Sequence, residues 1–177
     1  MGKNGQALFT LLTDWPSAFT EARIRGRSIL CPALRDLPPA DALALAMLPI
    51  HDANGLSLEV LARAAQSNHS TIKPDYVGLC LTDPFRRMED LFSAVRSAGI
   101  TGIVNLPSIA ALMKDADDRV FGTLYARELF LMDQARDAGF SVLRITCDDF
   151  PVRTGPGSIS LAALRAAPIM TDTPVSD

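Results

Sequence analysis

The chain has 177 residues, 48% of them hydrophobic, with 17 basic and 20 acidic side chains and a formal net charge of −3. That length and apolar share suit one globular domain with a sizeable core. The mildly acidic balance, with no stretch that concentrates Lys and Arg, excludes the positive face on which non-specific nucleic-acid binding depends. No apolar run approaches the roughly 20 residues of a membrane helix, so no membrane partner is expected, and residues 8–12 are too brief for a signal core. Cys31, Cys80 and Cys147 are odd in number and far apart, which reads as reduced thiols of a cytoplasmic protein.

In chain order, residues 6–14 are expected to form one or two helical turns. Pro16 suits a first helical position and carries a helix to the stop at Gly26. Residues 28–31 are a short apolar strand closed by Pro32. Residues 41–46 read as helix and residues 43–48 equally as buried strand, an ambiguity periodicity alone does not resolve. The pattern then becomes regular: helix 56–65, strand 76–81, helix 84–98, strand 100–106, helix 124–138 and strand 140–147. In helix 84–98 the apolar positions Phe85, Met88, Leu91, Phe92 and Val95 fall on one face. Asp83 before Pro84 is placed to cap that helix, and Arg86 and Asp90, four apart, are placed to pair. A helical stretch at 160–166 lies in a Pro-, Gly-, Ser- and Thr-rich tail. This gives an N-terminal helical segment (1–26), a βα-repeat domain (27–150) and a C-terminal helix with a flexible tail (151–177).

Apolar strands alternating with amphipathic helices imply a parallel sheet with covered faces. A weak repeat supports this: RSAGITGIV (96–104) and RDAGFSVLR (136–144) each end a helix at Ala-Gly and feed a strand. The fold class is α/β, either a partial (β/α) barrel or an open doubly wound sheet. A full barrel takes about 250 residues, more than this chain has. In both architectures function collects at the carboxyl ends of the strands. There the sequence offers His51, Asp52 and Asn54, then Thr82 and Asp83, then Asn105 and Ser108, and finally Thr146, Cys147, Asp148 and Asp149. Asn105 stands out, because an amide inside an apolar strand must be hydrogen-bonded. No Gly-rich phosphate loop, G-x-G-x-x-G motif or serine nucleophile elbow occurs.

The segments LPIHDAN (48–54), CLTDPFR (80–86) and GITGIVNLPSIAAL (99–112), followed by LYARELFLMDQARDAGF (124–140), resemble the phosphoenolpyruvate-hydrolase-like TIM-barrel family. The family's early segment is replaced by CPALRDLPPAD (31–41) and its acidic segment after the fifth strand by DRVFGTLY (118–125). The last barrel units are missing or reduced to the tail. The resemblance implies a lyase- or hydrolase-like enzyme acting on a phosphoenolpyruvate-like or 2-oxo acid small molecule. On that basis Asp52 and Asp83 would hold a Mg2+ ion, partly through water, which polarises a carboxylate or enolate oxygen. His51, Asp83 and Asp148 would carry the catalysis, and Asn54, Thr82, Arg86, Asn105 and Ser108 would contact substrate, with Asn105 donating to the developing anion. An alternative of another class is a non-catalytic truncated barrel that self-associates. In either case an incomplete barrel exposes an edge that a second copy or a partner subunit is expected to cover.

Overall fold

The computed structural model describes residues 9–38, 41–48, 51–66, 72–112, 119–146 and 157–170. Seven strands form one sheet: β1 (Phe9–Leu12), β2 (Arg27–Leu30), β3 (Tyr76–Gly78), β4 (Gly102–Val104), β5 (Ser141–Thr146), β6 (Ser158–Ser160) and β7 (Ile169–Met170). Every pairing is parallel, and the order is β6-β5-β4-β3-β2-β1-β7. Strands neighbour each other in chain order, and β7 joins the free side of β1 as a closing strand would. A doubly wound sheet reverses direction at a switch point; this one does not. The sheet curls into a half-barrel with alternating helices, a partial TIM-like fold.

The helices are α1 (Ala18–Glu21), α2 (Ala42–Leu45), α3 (Ala53–Gln66), α4 (Met88–Ser97), α5 (Arg119–Asp137) and α6 (Leu161–Arg165). Strand side chains alternate between two cores, as a period of two requires. Leu12, Leu30, Val77 and Ile103 pack outward against Val60 and Leu61 of α3, Leu91 and Val95 of α4, and Met132 and Ala135 of α5. Leu11, Ile29, Tyr76, Val104, Leu143 and Ile159 face inward with Leu34, Ala42 and Leu43. α5 serves both cores: Tyr125, near its start, is buried in the inner one.

The repeat at 96–104 and 136–144 is a repeated helix stop. Gly99 and Gly139 have φ of 72° and 92°. Each gives its N–H to the residue three back (Arg96 O and Arg136 O, both 2.8 Å), and the next residue bonds five back (Ile100 to Val95 O, Phe140 to Ala135 O). Both are Schellman motifs, whose left-handed residue favours glycine.

Two expectations are overturned, and two open alternatives are decided. Residues 9–12, expected to be helical, are strand β1. All four are buried, and their backbone groups serve neighbours on both sides, as in Leu11 N–H to Pro168 O and Cys31 N–H to Leu12 O. The ambiguous stretch near residue 43 is helix α2, not strand. The helix expected from residue 84 begins at Met88, with Arg87 at its N-cap and no side-chain cap bond. Asp83 therefore does not cap it, and Phe85 lies off its apolar face at 89% exposure. The C-terminal tail contributes β6, α6 and β7, so the late barrel units are present in shortened form. Among the described residues, no helix is long and apolar enough to cross a membrane.

Gly78 faces the inner core where β3 approaches the turn after β4. A Cβ there would lie 2.6 Å from Leu106 O and 3.3 Å from Cys31 Cβ. Gly78→Ala is expected to cost about 1–3 kcal/mol, the usual range for overpacking, read as a lower urea midpoint with unchanged slope. An unchanged midpoint would mean that β3 and β4 have room to separate.

Candidate functional site

A cleft of about 640 Å³ opens at the carboxyl end of β3. Its walls come from the end of α2 and the residues after it (Ala46, Met47, Leu48), the entry to α3 (His51 to Asn54) and the segment after β3 (Cys80, Thr82 to Arg86). His51, Asp52, Asn54, Thr82, Asp83 and Arg86, six of the residues singled out in the sequence, meet here.

Asn54 holds the two sides together. Its Nδ2 donates to Cys80 O and to Asp83 Oδ2, both at 2.9 Å, and its Oδ1 accepts from Cys80 N–H at 2.9 Å. The side chain thus pairs with Cys80 as a neighbouring strand would, and it is buried. Asp83 then divides its oxygens. Oδ1 accepts from Phe85 N–H (2.8 Å), closing a tight turn, while Oδ2 accepts from Asn54 and from Arg86 Nη1 (3.2 Å). The second guanidinium nitrogen, Arg86 Nη2, reaches Asp52 Oδ2 at 2.6 Å. Asp52 Oδ1 accepts from Gly55 N–H at 2.9 Å, at the start of α3. A Cβ on residue 55 would sit 2.2 Å from Asp52 Oδ2, so glycine leaves room for this carboxylate to fold back. Arg86 is not paired with Asp90 as its spacing suggested; both its partners lie on the rim.

The electrostatics follow from these contacts. The hydrogen bond from Arg86 holds the Asp52 carboxyl below its usual range against a small effect of burial. Burial pushes Asp83 up, but the Phe85 N–H, Asn54 and Arg86 together outweigh it and hold it low. Arg86 is raised in turn, first by its bond to Asp52. Burial raises the Cys80 thiol and pushes Cys31 up to about 12, so neither is an activated nucleophile. One guanidinium between two carboxylates leaves a single negative charge. It also stands where a cation shared by Asp52 and Asp83 would stand, so as arranged these two residues do not fit a Mg2+ ion. Among the described residues no group of three or more His, Cys, Asp or Glu is placed to hold a metal.

Asn105 and Ser108 lie in a second, closed cluster at the end of β4. Its centre is Glu128 of α5, which is fully buried. Asn105 Nδ2 and Ser108 Oγ donate to Glu128 Oε1, each at 2.5 Å, and Ile109 N–H donates to Oε2 at 2.9 Å. Asn105 Oδ1 accepts from Ile145 N–H on β5 (2.7 Å), and Tyr125 Oη donates to Ile145 O (2.8 Å). This network ties the turn after β4 to β5 and α5. The buried amide does require partners, and all of those found are internal. Thr146 bonds Ile159 O across the β5–β6 pair. Cys147, Asp148 and Asp149 lie outside the described residues. Glu128 escaped the sequence reading although its signal was present: Tyr125, Glu128, Met132 and Ala135 share the buried stripe of α5, and a carboxylate on such a stripe demands donors.

Burial raises Glu128 to about 7, against the pull of the Ile109, Ser108 and Asn105 donors. The unfolded chain releases this proton above its ordinary value of 4.5, whereas the folded chain keeps it to about 7. The native state thus binds more protons in that window, and stability falls as pH rises from about 4.5 to about 7, by on the order of 3 kcal/mol. Glu128→Gln is expected to flatten that part of the profile in urea unfolding. Parallel profiles for the two proteins would assign the slope to other groups.

Comparison with known proteins fits this geometry. The profile of the family described as phosphoenolpyruvate hydrolase-like matches residues 40–148, which contain the cleft and the Glu128 cluster. The uncharacterized protein y4oT of Sinorhizobium fredii (strain NBRC 101917 / NGR234) is 30% identical over 161 residues, 89% of this chain and 78% of that protein. The ToMV resistance protein Tm-1(GCR237) of Solanum lycopersicum is 37% identical over 65 residues, 36% of this chain and 8% of that protein. The ToMV susceptible protein tm-1(GCR26) of the same plant matches to the same extent. With more than half of its length inside the family profile, and a relative aligned along most of the chain, this protein belongs to the phosphoenolpyruvate hydrolase-like family.

Proposed function

We propose that the chain is a hydrolase- or lyase-like enzyme that binds a small 2-oxo acid or enolpyruvyl compound in the cleft after β3. Family membership supports the general class. The observation that carries the reading is the unequal pair of carboxylates on Arg86. The Asp83 side chain is 9% exposed and locked by Asn54 and Phe85 N–H; the Asp52 side chain is 59% exposed. Exposed ion pairs contribute about 0.2–1 kcal/mol, so a substrate carboxylate can replace Asp52 on Nη2 at little cost. Asp83 keeps Nη1 in place, and the planar guanidinium sets the direction of the incoming carboxylate. With the carboxylates held ionised and Cys80 held protonated, His51 is the cleft group suited to give and take a proton. Thr82 adds a hydroxyl to the same wall. A Mg2+ ion on Asp52 and Asp83 is compatible with this cleft only if Arg86 swings out to the substrate.

Binding of pyruvate and phosphoenolpyruvate to native protein, Asp52→Asn and Arg86→Lys, each with and without Mg2+, tests the assignment. Asp52→Asn keeps a good cap for α3 and frees Nη2, so binding is expected to tighten a few-fold without metal. Arg86→Lys is expected to weaken it about tenfold or more, through loss of the planar fork. Weaker binding by Asp52→Asn, seen only when Mg2+ is present, would instead make Asp52 a metal ligand. No effect of Arg86→Lys would remove the carboxylate site.

A second reading, self-association, is favoured by the sheet. Among the described residues β6 and β7 each pair on one side only, and Val120 and Phe130 of α5 are exposed. Light scattering after size-exclusion chromatography is expected to give a dimer. A monomer across micromolar concentrations would leave the edges to the chain itself.

A further inference from the structure

The cleft is larger and more apolar than a three-carbon acid needs. Resting on the carboxylate site at Arg86, we infer that its substrate is a 2-oxo acid with an apolar extension the size of an aryl or branched alkyl group. Pockets of about 300–1,000 Å³ hold drug-sized molecules, and at about 640 Å³ this one leaves most of its space empty around pyruvate. Apart from the charged trio and the polar His51, Asn54 and Thr82, the lining is mostly apolar. Met47, Leu48, Ala53, Pro84 and Phe85 line it beside the charged trio.

Two of the five large hydrophobic side chains exposed among the described residues, Leu48 and Phe85, are on this cleft. The exposure of Phe85 is built in. Pro84 fixes the backbone before it, and Asp83 Oδ1 holds its N–H at 2.8 Å, so residue 85 is kept out of α4. The other oxygen of the same carboxylate holds Arg86. One side chain therefore places the backbone of residue 85 and the Arg86 guanidinium on the same cleft. That arrangement suits a ligand with an anionic head and an apolar body, whereas a bare acid uses only half of it. Covering one ring of such a ligand is enough for roughly tenfold to a hundredfold in affinity.

The test is calorimetric binding of pyruvate, 4-methyl-2-oxopentanoate and phenylpyruvate to the whole chain and to Phe85→Ala, Leu48→Ala and Arg86→Ala. Phe85 is exposed, so its removal leaves the core intact. Affinity is expected to rise at least tenfold from pyruvate to phenylpyruvate. Phe85→Ala is expected to bring that ratio within about threefold, Leu48→Ala to lower it, and Arg86→Ala to weaken all three acids. Equal, Arg86-dependent binding of the three would overturn the extension and leave the carboxylate site standing. Phenylpyruvate binding that survives Arg86→Ala would be apolar adsorption and overturn the inference. No binding of any acid would overturn both.

Discussion

The candidate site depends on how one carboxylate is divided. Asp83 spends Oδ1 on the backbone of Phe85 and Oδ2 on Asn54 and Arg86. Each bond fixes a different part of the rim. The first delays α4 until Met88 and leaves Phe85 in the open. The second ties the loop to the start of α3 through an amide that also completes the backbone pairing of Cys80. The third orients the guanidinium. Two parts of the chain, separate in sequence, the entry to α3 and the loop after β3, become one edge through these bonds. An aspartate before a proline ordinarily caps the helix that follows. Here the helix gives up that cap and starts on Arg87 without one, and the carboxylate serves the cleft.

The two polar clusters sit in opposite environments, and their acids are pushed apart accordingly. At the rim, donors and a guanidinium keep Asp52 and Asp83 ionised. Behind it, Glu128 has three donors but no cation, and burial prevails. Sites that run acid and base chemistry commonly separate their carboxyls in this way. The closed bonding of Glu128 argues for a different division of labour in this chain. The inner cluster braces the turn after β4 against β5, and the rim is the site at which we propose that a ligand binds.

Much of this was legible in the sequence, for reasons visible in particular residues. The apolar runs at β3, β4 and β5 and the amphipathic α4 and α5 show their periods directly, and Gly99 and Gly139 mark where helices stop. Residues 51–54 and 80–86 meet at the rim because strand ends gather there in any parallel α/β fold. Three features were not legible. β1 is four residues long, and a short apolar run looks alike as helix or strand until its neighbours are known. β6 and β7 are shorter still and stand among turn-forming residues. The pairing of Arg86 with Asp52, 34 residues away, is a tertiary fact that no local spacing encodes. Its local alternative, Asp90, was the natural guess.

The shortness of the chain bears on the curl of the sheet. β6 and β7 are the two edges of seven strands, and residues 161–168, which include α6, join them. Laid flat, seven strands would set those edges about 29 Å apart. Eight residues, five of them helical, span only about 20 Å. The sheet must therefore curl to bring its edges within reach of α6, although the described residues form fewer than eight strands. The same curl turns the carboxyl ends of successive strands toward one another. The entry to α3, after β2, and the loop after β3 follow two paired strands, and the cleft opens between them at the carboxyl edge of the curled sheet.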